Sequence, residues 1–117
     1  SPSRGILLLR RGIGYRSSER TMVAIEIRNR PDQEPWVPGS ARLLGASGAL
    51  VKVRSVRLDW TRLTSGVTDF LFVEAEALPP DETLFRLELL DQEGQRHLLI
   101  DGVRFPELPA RARGETP

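Results

Sequence analysis

Apolar and polar positions alternate along this chain in short blocks, each closed by Gly, Pro, Asp or Ser, and no block sustains the spacing of an amphipathic helix. The blocks predict strands over Ile6–Tyr15, Thr21–Asn29, Ser40–Leu44, Leu50–Trp60, Val67–Leu78, Thr83–Asp91 and Gln95–Phe105. The second is the clearest: Val23, Ile25 and Ile27 alternate with Ala24, Glu26 and Arg28, so one face is β-branched and the other polar. Pro35-Trp36-Val37-Pro38-Gly39 and Leu78-Pro79-Pro80-Asp81 break the chain, and Asp91-Gln92-Glu93-Gly94 joins the last two strands as a tight hairpin. Strands near ten residues apart, with no helix to carry a parallel crossover, point to an all-β fold: an antiparallel two-sheet sandwich, immunoglobulin-like, of about seven strands. A small β-barrel is the runner-up.

The alternation contradicts itself in two blocks. Within Leu50–Trp60, Val51 and Val53 share one parity while Val56, Leu58 and Trp60 take the other. Within Val67–Leu78, Leu71 and Val73 oppose Phe70 and Phe72. A β-bulge near Ser55 returns Val56, Leu58 and Trp60 to the core. A regular strand instead leaves Val56, Leu58, Trp60, Phe70 and Phe72 as an outward apolar patch. The patch is the expected protein-binding surface, because otherwise two strands must both break alternation near the same loop.

At 117 residues the chain is the size of one domain, expected over 6–106, with tails at 1–5 and 107–117. The net charge of +1 hides a basic first half and an acidic second half. Either strands from the two halves interleave and mix their charges, or the molecule is a dipole that associates head to tail. With no cysteine and one histidine, thiolate metal sites, disulfides and cysteine nucleophiles are excluded, and imidazole chemistry rests on His97 alone. His97 has no second histidine to share a metal and no serine at a nucleophile elbow. Aspartates recur at turns without the spacing of a calcium loop, and no glycine-rich phosphate loop is present. We therefore expect no enzyme, no catalytic or metal-binding residue and no cofactor. Arg10-Arg11 and Tyr15-Arg16 set basic groups beside an aromatic, but without a stacking series, so a nucleic-acid partner is not expected. No apolar run approaches the length of a membrane span, so membrane insertion is not expected.

The expected function is a non-enzymatic protein-binding module, engaging a protein partner or a second copy of itself. The alternative from a different class is a carbohydrate- or polymer-binding module, in which Tyr15 and Trp36, with Trp60, line an exposed platform.

The succession Tyr15-Arg16-Ser17, Val23-Ala24-Ile25-Glu26-Ile27 closing on Asn29, Pro35-Trp36, Gly48, Val73-Glu74-Ala75-Glu76-Ala77, Gly94-Gln95-Arg96 and Gly102-Val103-Arg104-Phe105-Pro106 resembles a known pattern. It is similar to the C-terminal domain of a myxobacterial paralogous family of uncharacterised exported proteins, over residues 6–106. The resemblance implies a β-module of a larger exported protein or envelope assembly, hence a periplasmic or extracellular setting, and brings no catalytic residue, cofactor or substrate. The chain departs from the family's pattern at Thr61-Arg62-Leu63-Thr64-Ser65-Gly66, where a more proline-rich turn is usual.

Overall fold

The computed structural model describes residues 5–108, and they form eight strands with no helix. These are β1 (Ile6–Arg16), β2 (Arg20–Asn29), β3 (Pro38–Gly45), β4 (Leu50–Val51), β5 (Val53–Leu58), β6 (Thr68–Glu76), β7 (Leu84–Asp91) and β8 (His97–Arg104). They make two antiparallel sheets, ordered β1-β2-β6-β5 and β4-β3-β7-β8, packed face to face as a sandwich and not closed into a barrel. The period-two pattern explains the layers. In β2, Thr21, Val23, Ile25 and Ile27 are buried, and in β6 Leu71, Val73 and Ala75 meet them in register. Leu43 of β3 and Leu87 and Leu89 of β7 supply the facing layer.

One predicted strand is two. The block Leu50–Trp60 divides at Lys52, with β4 beside β3 in one sheet and β5 beside β6 in the other. Trp60 lies beyond β5, in the loop that returns to β6. The chain changes sheets where a hydrogen bond from the Glu76 amide to the Lys52 carbonyl (3.0 Å) secures the crossing. The last predicted strand starts later than expected, at His97. Leu108 is also buried, although it falls in the expected C-terminal tail. Of the expected tails, residues 1–4 and 109–117 lie outside the described residues.

The charge halves interleave. Strand β6, from the acidic half, sits between β2 and β5 of the basic half, and ion pairs Arg20–Glu74 (2.7 Å) and Arg42–Glu88 (3.8 Å) join the halves across ladders. The basic and acidic halves of the sequence therefore do not form two separate halves of the fold. The basic groups of Arg10-Arg11 and Arg16 take separate environments: Arg10 lies 3.9 Å from Glu26, Arg11 donates from Nε to the Asp101 carbonyl (2.6 Å), and Arg16 is buried.

Both ends of the sandwich are closed by polar groups. At one, Trp36 is fully buried and exchanges backbone hydrogen bonds with Leu63 (2.9 and 2.8 Å). Beside it the buried Asn29 amide donates to the Glu34 and Leu63 carbonyls (2.9 and 3.1 Å), while Arg96 donates to Asn29 Oδ1 (2.7 Å). At the other end Arg16 follows the inward parity of Thr21, its partner across the ladder. One of its terminal nitrogens donates to the Glu82 and Pro106 carbonyls (2.6 and 3.2 Å), the other to Pro79 and Leu78 (2.8 and 3.3 Å). Prolines 79 and 80 forbid a ladder there, so these carbonyls need a donor from elsewhere, and a planar guanidinium reaches several at once.

Arg16→Met is expected to cost about 3 kcal/mol or more, because it strands carbonyls at a buried site, and Arg16→Lys to recover only part of that. Urea unfolding with an unchanged slope would measure it. A loss below about 1 kcal/mol would show that the clamp is dispensable.

Candidate protein-binding face

The outer face of the β1-β2-β6-β5 sheet is assembled by register. The β5–β6 ladder shifts between Val53 and Ser55, after which Val56 pairs with Val73 and Leu58 with Leu71. The bulge therefore exists, and it reverses the parity of β5. Leu58 is buried and Val56 packs against the core, so the expected outward placement of both is corrected. Arg57 takes the outer position instead, opposite Phe72, with its guanidinium carbon 5.0 Å from the ring centroid.

β6 keeps its alternation, so Phe70 and Phe72 do face outward, with ring centroids 6.4 Å apart. Across the ladder, Ala24 lies opposite Phe72 and Met22 opposite Glu74, and Tyr15 of β1 lies opposite Met22. Phe70 is 41% exposed, Met22 39% and Tyr15 65%, so the face offers a contiguous set of apolar side chains to the exterior. Met22 and Ala24 were missed by the sequence reading. The alternation of Val23, Ile25 and Ile27 turned them outward, but only the β2–β6 register shows that they adjoin the two phenylalanines.

Trp60 is 73% exposed in the loop, where Asp69 connects it to the face. The Asp69 carboxylate accepts the Trp60 amide (3.1 Å) and the Phe70 amide (2.7 Å), which explains how an acid at an inward position is tolerated. The alternative aromatic platform is not assembled: Trp36 plugs the interior, leaving Tyr15 on the sheet face and Trp60 in a loop. Around the apolar centre, Arg10–Glu26 and Arg20–Glu74 neutralise one another within the face.

The sheet edges are poor docking strands. Against β2, β1 shifts register twice, and a Cβ on Gly12 would run into the Ala24 carbonyl. β5 carries its bulge, and β4 has two residues. The β7–β8 ladder shifts opposite Gly102, whose φ of 72° is left-handed. Irregular, short or bulged edges cannot template a long added strand.

Elsewhere, a 410 Å³ groove on the opposite sheet is lined by Leu44, Leu84, Arg86 and Asp101 among others. Its Arg86–Asp101 hydrogen bond (2.6 Å), followed by the charge of Asp101, raises the Arg86 pKa above its usual value, which leaves the group cationic as before. A polar 440 Å³ cleft lies at the Trp36 end, between Glu34, Arg62, Asp91 and Arg96. His97 is exposed on β8, and among the described residues no group of three or more His, Asp or Glu side chains is placed to hold a metal.

A family model described as "Protein of unknown function (DUF2381)" matches residues 5–103. Neither the curated proteins nor the solved structures hold a match to the chain.

The two sides of the bulge should respond oppositely to charge. Leu58→Glu places a carboxylate in the core and is expected to cost about 3 kcal/mol, lowering the melting temperature by more than about 10 °C. Phe72→Glu, on the outer face, is expected to cost about 1 kcal/mol. Equal losses in thermal melts would refute the observed parity.

Proposed function

The chain belongs to the DUF2381 family, and we propose that it is a non-enzymatic protein-binding module that engages its partner through the outer face of the β1-β2-β6-β5 sheet. One observation carries the reading: Tyr15, Met22, Ala24, Phe70 and Phe72 are contiguous across three strands, with Tyr15, Met22 and Phe70 exposed, Ala24 and Phe72 half-buried, and the Arg10–Glu26 and Arg20–Glu74 pairs beside them. Such a face gains apolar burial on docking, with Phe72 and Phe70 as its anchors. The blunted edges favour face packing over strand addition.

The order of the strands supports an immunoglobulin-like reading of the sandwich. With β1, β2, β6 and β5 in the places of A, B, E and D, and β3, β7 and β8 in those of C, F and G, β4 is an added strand beside C. The resemblance to exported proteins supports a module of a larger exported or envelope-associated chain. Cell fractionation would test this, and recovery in the cytosol alone would count against it. The polymer-binding alternative retains the exposure of Tyr15 and Trp60 but has lost Trp36.

The test is affinity capture with immobilised wild-type chain and Phe72→Glu. Wild type should retain a specific protein that the variant, still folded by far-ultraviolet circular dichroism, releases at least about tenfold more readily. Retention of the same protein by both would reject this face, and retention of polysaccharide dependent on Trp60 would transfer the function to the alternative class.

A further inference from the structure

Arg57 is an exposed cation beside the apolar anchors, with its guanidinium carbon 5.0 Å from the Phe72 ring centroid. Among the described residues it has no hydrogen bond and no ion pair. The acids around it are engaged or displaced. Glu74, two residues along β6 from Phe72, is held by Arg20 at 2.7 Å, and Glu26, opposite Phe70, lies 3.9 Å from Arg10. Glu76 stands four residues along β6 from Phe72, about 13 Å away, and Asp59 follows β5 in the loop. Between positions 52 and 62, Lys52, Arg54, Arg57 and Arg62 stand against the single acid Asp59, all of them exposed and none in an ion pair among the described residues. On the other side of the phenylalanines Arg28 of β2, exposed and likewise without an ion pair, lies opposite Thr68, two residues before Phe70. Unneutralised positive charge therefore flanks the anchors on both sides.

From this arrangement we infer that the docking segment of the partner is acidic: a protein segment that sets a carboxylate against Arg57 and an apolar side chain against Phe70 and Phe72. The assignment rests on the protein-binding reading and names the chemistry of its partner. Charge complementarity selects this occupant. A guanidinium resting over a ring is held in place, and its N–H fork matches the two oxygens of a carboxylate. The same cation occupies the space over Phe72 where a sugar or a nucleobase would stack, leaving Phe70 as the bare ring of the pair. A sulfated polymer supplies anions but nothing apolar to cover Phe70 and Met22. The bulge in β5 denies the segment a regular strand edge, so side chains and not a backbone ladder make the contact.

Peptide display on the immobilised 117-residue chain, with random dodecapeptides as the probe, tests the assignment. Peptides enriched by wild type should carry Asp or Glu beside an aromatic or aliphatic residue, at least about twofold above the starting library. The strongest of them, made synthetically, should bind Arg57→Gln at least about tenfold more weakly, and Arg57→Lys by an intermediate amount because lysine keeps the charge without the fork. Its own amide version, Gln for Glu and Asn for Asp, should lose as much and lose nothing further on Arg57→Gln. Melting temperatures should stay within about 2 °C of wild type, since Arg57 is exposed. Arg57→Glu should turn the enrichment toward Lys and Arg. Enriched peptides without an acidic bias, an acidic bias unchanged by Arg57→Gln, or no enrichment at all would each overturn the assignment. So would heparin or a thymidine oligonucleotide bound more tightly than the peptide and dependent on Arg57, or self-association lost on Arg57→Gln, which would make a second copy the occupant. If enriched peptides lack the acidic bias but are lost on Phe72→Glu, only the acidic chemistry is rejected. If they are also indifferent to Phe72→Glu, the protein-binding face falls with it.

Discussion

Between Leu50 and Leu58 a single extended stretch has to serve two sheets, and the outer face depends on how it does so. Val51 pairs with Leu43 in one sheet and Val53 with Ala75 in the other, so the chain passes from sheet to sheet at the exposed Lys52. Side chains alternate with a period of two, and any strand that crosses and then meets β6 out of step must add a residue or expose its apolar set. The bulge between Val53 and Ser55 supplies that residue. It sends Val56 and Leu58 inward and leaves Arg57 outside, over the ring of Phe72. A cation resting on one side of the aromatic patch follows from this register change.

The interior is apolar between the sheets and polar at its ends, and the division has a physical cause. Ladders satisfy backbone groups only where strands continue, whereas the loops at each end carry prolines and carbonyls that ladders cannot reach. Arg16 satisfies one end and Asn29 with Arg96 the other, while Trp36 fills the volume beside the second. Arginine thus has several separate uses here: inside an end of the sandwich, against the Asp101 carbonyl at the seam between β1 and β8, and over an aromatic ring. A composition count treats these as equivalent. Their environments do not.

Blunted edges and an open face have complementary consequences. A regular edge strand would recruit any extended segment, and bulges in β1, β5 and β8 with the shortness of β4 remove that option. What remains available is a surface whose shape is set by rigid strands. Its side chains are held by cross-strand neighbours, so little further ordering is needed on docking, which is the condition under which a small apolar area yields usable affinity.

The strands and most of the core are legible in the sequence, because period-two alternation and turn chemistry are local. Val23, Ile25 and Ile27 announced the inner face of β2, and the outward direction of Phe70 and Phe72 followed from Leu71 and Val73. It also exposed the conflict after Arg54, since Val56 and Leu58 stand on the wrong parity for a regular strand. The β5–β6 ladder resolves that conflict. Whether a strand bulges or shows its apolar side depends on the partner ladder and on the sheet it must join, and neither is encoded within a few residues of Ser55. The same limit kept Met22 and Ala24 out of the expected site and put Trp36 into one of its alternatives, because adjacency across strands and the filling of a sandwich end are properties of register and packing between distant segments.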